Sequence, residues 1–407
     1  MNSARRSIQL VAACTILLGV SSAIAQDWPQ WRGPNRDGAA TGFVAPQTWP
    51  KTLTQKWKVT VGTGDATPAL VGGRLYTFTR QGGEEVTLCL DAASGKEIWK
   101  DSLSVDAISG PAARHPGPRS SPAVANGKVV TIGITGILSC LDANTGKVTW
   151  RNQNFKGTPK FYTASSPLIV DDVCIAQLGG TGDGGIVAVN LSNGTIRWNW
   201  MDEGPGYSSP VLLDAEGMRQ IVALTEKSVV GIDYADGKLL WQIPFAPQGM
   251  AYNAATPIVN GQTVYITGQG RGTKAIKIEK KDNGFAAKEL WSNAEVSVQF
   301  CSPVLKDGML YAISDKGILS CLNAETGKTV WTDPAKRGGY GAMIDAGSVV
   351  MALPEKSELV AFKPGDKQYS QVASLKVAES PTYASPVLSG NGIYIKDGDA
   401  LTLWTLE

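Results

Sequence analysis

One eleven-residue phrase occurs five times along this chain, and its regular recurrence limits the possible fold more than any other feature. Each copy has a small residue first, Asp or Asn third, Gly seventh and Trp eleventh; the copies begin at Cys89, Cys140, Ala188, Gly231 and Cys321. A fixed period of roughly 40–50 residues indicates that one supersecondary unit stacks on copies of itself to bury its faces. The repeat therefore predicts a single repetitive domain, although the chain is long enough for two.

The phrase itself is typical of a strand, a turn and a second strand. Its short carboxylate or amide side chain can bond the nearby backbone, and its Gly supplies the positive φ that such turns need. A second element, Ser/Thr-Pro followed by apolar residues and a Gly or Asp turn, precedes most copies, as at 121–127 and 302–308. Proline is tolerated at the first residue of a strand. We therefore expect four strands in each unit.

The number of units follows from two sets of markers. Ser/Thr-Pro prolines occur at Pro68, Pro122, Pro167, Pro210, Pro257, Pro303 and Pro386, with a degenerate site near Ala342. The fourth-strand tryptophans, which we expect to dock against neighbouring units, are Trp57, Trp99, Trp150, Trp198, Trp241, Trp291 and Trp331, with one missing around 370–377. The last unit has only three strands, and residues 53–61 can supply its fourth.

These counts predict an all-β fold: an eight-bladed β-propeller of four-stranded antiparallel blades, closed by the N- and C-terminal strands in one blade. The propeller domain would cover residues 53–407, preceded by an N-terminal segment at 26–52. A seven-bladed ring is the alternative, but it would leave the strand at 53–61 without a role.

Residues 1–25 resemble a cleaved export signal. Arg5 and Arg6 form a basic start, residues 8–20 an apolar core, and Ala23-Ile-Ala25 a small-x-small cleavage site. We predict cleavage after Ala25 and a periplasmic or secreted protein without a transmembrane span. An uncleaved anchor is disfavoured because the apolar run is short, and lipidation at Cys14 is disfavoured because apolar residues continue past it.

Cysteine usage and charge exclude some classes of site. Five cysteines follow Ala25, and three of them occupy the same slot of the repeat, so we expect small buried hydrophobes rather than disulfides. Thiol-based metal binding is not expected, since the chain has no Cys-x-x-Cys pair and His115 is its only histidine. A net charge of +2 with scattered basic residues argues against nucleic acid. We expect a monomer.

Residues just before each Ser/Thr-Pro should surround the mouth of the central channel. The position three residues before each proline, or its aligned equivalent, is occupied by Asp65, Arg119, Ala164, Tyr207, Ala254, Phe300, Tyr340 and Tyr383. From this ring and the loops that lead into it, the predicted ligand-binding residues are Asp65, His115, Arg119, Tyr162, Tyr207, Tyr252, Phe300, Tyr340 and Tyr383. Two alternatives stay open: the tyrosines cap the axis by packing on one another, and His115 is a surface turn residue.

The pattern small-x-Asp-x-x-x-Gly-Lys-x-x-Trp, with Ser-Pro opening the inner strand, resembles the repeat of the pyrroloquinoline-quinone (PQQ) type β-propellers. The resemblance covers about residues 54–407, and residues 27–35 resemble the opening segment of exported proteins of this kind. It implies that each motif Trp docks between adjacent blades. The superfamily contains quinoprotein alcohol dehydrogenases, which bind PQQ and calcium on the propeller axis. It also contains non-enzymatic relatives such as BamB, the scaffold subunit of the outer-membrane barrel-assembly machinery.

Two functions of different classes follow as expectations. We favour a scaffold in the cell envelope, similar to BamB-like outer-membrane assembly factors, that binds an envelope protein or a small ligand at the mouth. The alternative is a PQQ-dependent dehydrogenase oxidising an alcohol or a sugar, which needs six to eight oxygen ligands for calcium and a carboxylate base. Asp65 is the only acidic ring position, and no two cysteines are adjacent as they are in those dehydrogenases. We therefore expect no cofactor and name no catalytic residue; the role of Trp28 and Trp31 stays open.

Overall fold

The computed structural model describes residues 26–282 and 284–407. These residues form eight four-stranded antiparallel sheets, which follow one another around a central axis as the blades of a β-propeller. The predicted all-β, eight-bladed fold is therefore confirmed. The predicted signal peptide at 1–25 lies outside the described residues. Within the two described ranges, no helix is long and apolar enough to cross a membrane.

The first four blades use consecutive strands, and the first strand of each lies nearest the axis, where it contacts the first strand of a neighbouring blade. Blade 1 comprises β2 (Ala69–Val71), β3 (Arg74–Gln81), β4 (Glu84–Asp91) and β5 (Glu97–Ser104). Blade 2 comprises β6 (Ala123–Ala125), β7 (Lys128–Ile132), β8 (Leu138–Asp142) and β9 (Val148–Asn152). Blade 3 comprises β10 (Leu168–Val170), β11 (Val173–Gly180), β12 (Asp183–Asn190) and β13 (Ile196–Trp200). Blade 4 comprises β14 (Val211–Ala215), β15 (Met218–Leu224), β16 (Ser228–Asp233) and β17 (Leu239–Pro244).

The next four blades complete the ring. Blade 5 comprises β18 (Ile258–Asn260), β19 (Thr263–Gly268), β20 (Gly272–Lys281) and β21 (Gly284–Asn293). Blade 6 comprises β22 (Val304–Lys306), β23 (Met309–Ile313), β24 (Ile318–Asn323) and β25 (Thr329–Lys336). Blade 7 comprises β26 (Gly341–Ala346), β27 (Val349–Pro354), β28 (Glu358–Phe362) and β29 (Gln371–Lys376). Blade 8 comprises β30 (Val387–Ser389), β31 (Gly392–Lys396), β32 (Ala400–Thr405) and β1 (Thr54–Thr60). A 3₁₀ helix, Gly110–Arg114, lies between blades 1 and 2.

Blade 8 contains strands from both ends of the chain. β1 runs antiparallel to β32, with Thr54 opposite Thr405 and Thr60 opposite Ala400. The N-terminal strand therefore supplies the fourth strand that the C-terminal unit lacks. Backbone hydrogen bonds between the two ends close the ring, which is the device the repeat count predicted.

The motif tryptophans connect successive blades. The indole Nε1 of Trp99 donates to the carbonyl of Ala143 in blade 2 at 3.1 Å, and the ring lies against the turn residue Gly146. A Cβ at Gly146 would come within 2.5 Å of that ring, so the contact requires glycine. Five others donate to the following blade in the same way: Trp57 to Ala92, Trp150 to Leu191, Trp198 to Tyr234, Trp291 to Ala324 and Trp331 to Gly365.

Trp241 is the exception, and the reason lies in the blade that follows it. Blade 5 has a long hairpin, β20 and β21, in place of the usual motif turn, so no equivalent turn carbonyl is presented to Trp241. Its Nε1 donates instead to Gln220 Oε1 of its own blade at 2.7 Å. Gly231 makes this position possible, because a Cβ there would lie 2.1 Å from the indole nitrogen. Other motif copies have Cys or Ala at that slot.

A ring of hydrogen bonds also explains the Ser/Thr of the Ser/Thr-Pro element. The backbone N–H of Thr67 donates to Ser121 Oγ, and that of Ser121 donates to Ser166 Oγ, both at 2.9 Å. Four more links of 2.8–3.3 Å continue it: Ser166 to Ser209, Ser209 to Thr256, Thr256 to Ser302, and Ser385 to Thr67. Blade 7 has Ala342 at this position, so the ring is interrupted there.

The N-terminal segment passes through the inside of the ring. Trp28 is fully buried and exchanges two backbone hydrogen bonds with Leu70 of blade 1. Arg32 donates to the carbonyls of Ser302 and Pro303 in blade 6, and Arg36 to those of Ser166 and Pro167 in blade 3. Asp345 in blade 7 accepts a backbone hydrogen bond from Ala40 and donates one to Gly38. The segment therefore fills the axis and braces blades on opposite sides of the ring.

The five cysteines at 89, 140, 174, 301 and 321 are all buried and all have free thiols. Burial raises the pKa of each thiol, for Cys89 to about 11 and for Cys321 to about 12. The expectation that they act as small apolar side chains agrees with this burial.

Candidate functional site

A cavity of about 370 Å³ opens at the mouth of the propeller, where the segments that connect successive blades reach the axis. All eight ring positions predicted from the Ser/Thr-Pro pattern line it: Asp65, Arg119, Ala164, Tyr207, Ala254, Phe300, Tyr340 and Tyr383. His115 and Tyr252, which the loops contribute, line it as well. The repeat geometry thus brings nearly all the predicted ligand-binding residues together; whether they bind a ligand stays a prediction.

One wall of the cavity comes from the long connection between blades 1 and 2. Arg119 is held there by backbone carbonyls: it donates to the carbonyl of Phe161, to that of Ala112 at 3.3 Å and to that of His115 at 3.1 Å. Burial lowers the pKa of Arg119, while the charge of Asp65 acts in the opposite direction. An arginine side chain stays protonated in proteins, so the guanidinium is a cation that the loop fixes in position.

His115 and Asp65 form a hydrogen-bonded pair in the same wall. His115 Nδ1 lies 2.8 Å from Asp65 Oδ2. Because a carboxylate oxygen accepts hydrogen bonds, the imidazole donates to it through Nδ1, and Nε2 is left free to face a ligand. The imidazole also packs edge-on against Tyr383, with 4.8 Å between ring centroids. His115 is therefore a half-buried cavity residue and not the surface turn residue that was one alternative.

The opposite wall consists of aromatic rings in sequence around the mouth. Phe300 stacks on Tyr340 with 4.2 Å between centroids, and Tyr340 meets Tyr383 edge-on at 5.4 Å. Tyr252 continues the row, 5.7 Å from Phe300 and 4.8 Å from Tyr207. The tyrosines do pack on one another, as one alternative held, but they form a wall around the cavity and do not close it.

The tyrosine hydroxyls of this wall are protonated donors. Burial raises the pKa of Tyr252 to about 12 and also raises those of Tyr207, Tyr340 and Tyr383. Tyr207 accepts a hydrogen bond from the backbone N–H of Phe161 at 3.0 Å. Among residues 26–282 and 284–407, the hydroxyls of Tyr252, Tyr340 and Tyr383 have no hydrogen-bond partner that meets normal geometry.

The floor of the cavity is Trp31 of the N-terminal segment. Its indole Nε1 donates to Thr256 Oγ1 at 2.9 Å, which ties the floor to the hydroxyl ring of the Ser/Thr-Pro elements. This answers the question that the sequence left open for the segment: it plugs the axis and supplies one surface of the cavity. No repeat-based argument could find Trp31, because it lies outside the repeats.

Tyr162 does not line the cavity, and its predicted place is taken by its neighbour Phe161. Tyr162 has a positive φ of 65°, and its hydroxyl accepts a hydrogen bond from the backbone N–H of Ser109 at 3.2 Å. The turn therefore directs Tyr162 toward the connection between blades 1 and 2. Phe161, which the sequence analysis passed over, packs against Tyr252 at 5.1 Å.

A shallow groove adjoins the aromatic wall on the same face. It shares Phe161, Tyr252, Phe300 and Tyr340 with the cavity and is otherwise lined by Gln248, Met250, Ala251, Gln269, Gly270 and Gln299. Met250 is 82% exposed, more than any other large apolar side chain in the described ranges. We call these lining residues the mouth groove.

The cavity residues do not fit a calcium ion with a quinone cofactor. Calcium typically takes six to eight oxygen ligands. Among the described residues, Asp65 is the only carboxylate that lines the cavity, and it is hydrogen-bonded to His115. In the part of the chain that the structure describes, no group of three or more His, Cys, Asp or Glu residues could hold a metal ion. We therefore derive no chemical step through such a group.

Sequence comparison identifies a family and two informative relatives. The family model described as outer membrane protein assembly factor BamB matches residues 48–200, 113–299 and 286–404. BamB of Yersinia pestis is 23% identical over 361 residues, which cover 86% of this chain and 78% of that protein. A tetrathionate hydrolase of Acidithiobacillus ferrooxidans is 26% identical over 266 residues, covering 61% of this chain. The match spans 50% of the length of the hydrolase.

Among solved structures, the quinohemoprotein alcohol dehydrogenase of Comamonas testosteroni has a similar fold. The TM-score is 0.72 at 14% sequence identity, with 93% of this chain and 80% of the dehydrogenase covered. At this identity the likeness is one of fold and not of activity.

Proposed function

Since the chain belongs to the family described as outer membrane protein assembly factor BamB, we propose that it is an exported, non-catalytic scaffold of the bacterial cell envelope. It would bind a protein partner through the face that carries the cavity and the mouth groove, and take part in outer-membrane protein assembly. The similarity to BamB of Yersinia pestis, which extends over 86% of this chain, supports this role.

The observation that carries the proposal is the composition of this face. Aromatic rings and a fixed arginine surround a preformed cavity, and an exposed methionine lies beside it. Aromatic residues, Met and Arg are the side chains that are enriched in protein interfaces and that most often dominate their binding energy. Rigid blades hold them in place, so little side-chain freedom is lost on binding.

The test compares two exposed methionines on opposite faces. Met250 lies in a connection between blades, on the mouth face. Met218 is the first residue of β15, just after the turn at the end of the inner strand β14, and so lies on the opposite face. In cells of the source bacterium that lack this protein, we expect lowered amounts of β-barrel outer-membrane proteins. The wild type and Met218→Asp should restore them, and Met250→Asp should not.

A photo-crosslinking amino acid at position 250 should also give an adduct with an assembly component that position 218 does not give. Unchanged outer-membrane protein levels in the deletion strain would refute the assembly role. Equal adducts at both positions would refute the choice of face.

A PQQ-dependent dehydrogenase is the second candidate, favoured by the fold likeness and by 28% identity over 158 residues, or 37% of this chain, to a quinohemoprotein alcohol dehydrogenase of Pseudomonas putida. Adding PQQ and calcium to the purified protein tests it directly. Under our proposal the melting temperature stays unchanged, and no dye is reduced with alcohols or sugars as donors. Dye reduction with any of these donors would replace the scaffold proposal with an enzymatic one.

A further inference from the structure

The cavity contains a cation that the protein itself does not neutralise. Arg119 is partly buried and forms no ion pair with any described residue; it donates to three neutral carbonyls. The nearest acid of the cavity, Asp65, is engaged by His115. Arg119 differs from the other carbonyl-held cations of the protein in that it lines an open cavity, where its charge is available to an anionic ligand.

The charge of the whole wall has the same sign. Arg114, His115 and Arg119 all come from the connection between blades 1 and 2, and all three line the cavity. The two arginines exceed the single carboxylate of Asp65 by one positive charge. Such a wall attracts anions and disfavours cations.

The rest of the cavity suits a ring-sized apolar group. Tyr252, Phe300 and Tyr340 belong to the aromatic wall, and Trp31 forms the floor. A volume of about 370 Å³ is at the low end of the range for small-molecule sites. It has room for one ring with its substituent but not for a folded segment of a partner protein. The free hydroxyls of the tyrosines can donate further hydrogen bonds to an anionic group.

We propose that the cavity binds an organic anion with a single ring-sized apolar body, of the class of aromatic carboxylates. Its charge lies against Arg119 and its ring against the aromatic wall. The inference deepens the proposed function, on which it rests, by naming the chemistry that a partner would present at the mouth. The same chemistry has two sources: a free small molecule, or an acidic residue next to an aromatic one in the partner.

Three probes that share a phenyl ring and differ in the charge of their substituent test the proposal on the purified full-length protein. Phenylacetate is anionic, phenylacetamide neutral and phenethylamine cationic at about pH 7. By titration calorimetry, we expect phenylacetate to bind about tenfold or more tightly than the amide, the factor typical of a hydrogen bond to a charged group. The amine and plain acetate should bind more weakly still.

Variants then locate the charge. Arg119→Gln should abolish the preference for phenylacetate over phenylacetamide, whereas Arg197→Gln, on the outer strand of blade 3, should keep it. Because Arg119 also holds its loop, Phe300→Leu is a second variant, which leaves the loop intact and removes no hydroxyl. It should weaken all ring-bearing probes by a similar factor and preserve their order.

Competition separates the two sources. A short blocked peptide containing Phe-Asp should displace phenylacetate, and its Phe-Asn counterpart should not, if a partner supplies the anion. Displacement by neither peptide assigns the site to a free small molecule. Equal affinities for phenylacetate, phenylacetamide and phenethylamine, or no binding of any probe at about 10 mM, would overturn the inference. Neither result bears on the outcome of the Met250 experiment, so the failure of this inference can be distinguished from the failure of the proposed function.

Discussion

At the residue scale, this protein repeatedly places cations in its interior against carbonyl oxygens. Arg32 and Arg36 are fully buried, and burial lowers their pKa values to about 10 and about 9. Lys396 in β31 is 2% exposed, and its Nζ donates to the carbonyls of Asp397 at 2.6 Å and Gly398 at 3.0 Å. Carbonyl dipoles offset only part of the free energy needed to bury these charges. Each buried cation therefore still lowers the stability of the fold.

The buried lysine predicts a pH dependence of stability. Burial lowers the pKa of Lys396 to about 8 from 10.5, with Asp65 opposing the shift. Between these values the unfolded chain binds more protons than the native one, so the free energy of unfolding attributable to this group rises with pH. We expect the wild type to gain up to about 3 kcal/mol over Lys396→Met between about pH 7 and pH 11.

Urea unfolding of both proteins across this pH range measures the difference in their free energies of unfolding. The buried thiols and tyrosines are common to both proteins, so their titration cancels in this difference. A difference that stays constant with pH would show that Lys396 has an ordinary pKa in the native state.

At the element scale, each motif turn serves the preceding blade as well as its own. The turn between β8 and β9 receives Trp99 of blade 1, with the indole against Gly146 and its hydrogen bond on Ala143. Where blade 5 replaces the motif turn with a long hairpin, Trp241 bonds within its own blade. The docking of a tryptophan is therefore decided by the following unit and not by the tryptophan's own strand.

Two glycines of blade 2 allow the cost of backbone strain to be measured separately from the contribution of this docking contact. Gly127 and Gly146 have similar positive φ values of 69° and 72°. A Cβ at Gly127 would meet nothing within 4 Å, whereas one at Gly146 would overlap the ring of Trp99. We expect Gly127→Ala to cost about 1–2 kcal/mol of unfolding free energy from the left-handed backbone alone.

Gly146→Ala should cost about 1–3 kcal/mol more, because the indole must move from its site. Equal midpoints of urea unfolding for the two variants would show that the Trp99 contact contributes nothing to the stability of the ring.

At the scale of the whole molecule, three devices hold the ring together. β1 and β32 join the two termini, the N-terminal segment braces the interior, and the hydroxyls of the Ser/Thr-Pro elements link successive inner strands. The hydroxyl links run from blade to blade and stop only beside blade 7. Each satisfies a buried backbone N–H that would otherwise have no partner.

Adjacent serines in blade 2 test the hydroxyl ring. Ser121 Oγ accepts from the backbone of Thr67, whereas the hydroxyl of Ser120 is buried and has no partner among the described residues. Ser121→Ala should lower the free energy of unfolding by about 1–3 kcal/mol, because it leaves the N–H of Thr67 unsatisfied. Ser120→Ala should be neutral or stabilising. If thermal unfolding shows the two variants to be equal, the ring of hydroxyls does not stabilise the propeller.

Much of the site was predictable because the repeat fixes where chain segments meet the axis. Asp65, Arg119 and Tyr340 are far apart in the chain, yet each stands three residues before a Ser/Thr-Pro proline or its aligned equivalent, and all line the cavity. Residues off the repeat were less predictable. Tyr162 and Phe161 are adjacent, and only the positive φ at 162 decides which of them reaches the cavity.

The sequence by itself determined the blade, the number of blades and the closure of the ring. These depend on local signals that recur: a Gly that permits a turn, a Pro that opens a strand and a Trp at a set spacing. Only the tertiary structure decided that Trp31 is the floor of the cavity, that His115 binds Asp65 and that Arg119 has no carboxylate partner. These contacts join segments that no period relates, so their distances depend on how the ring and its plug pack together in three dimensions.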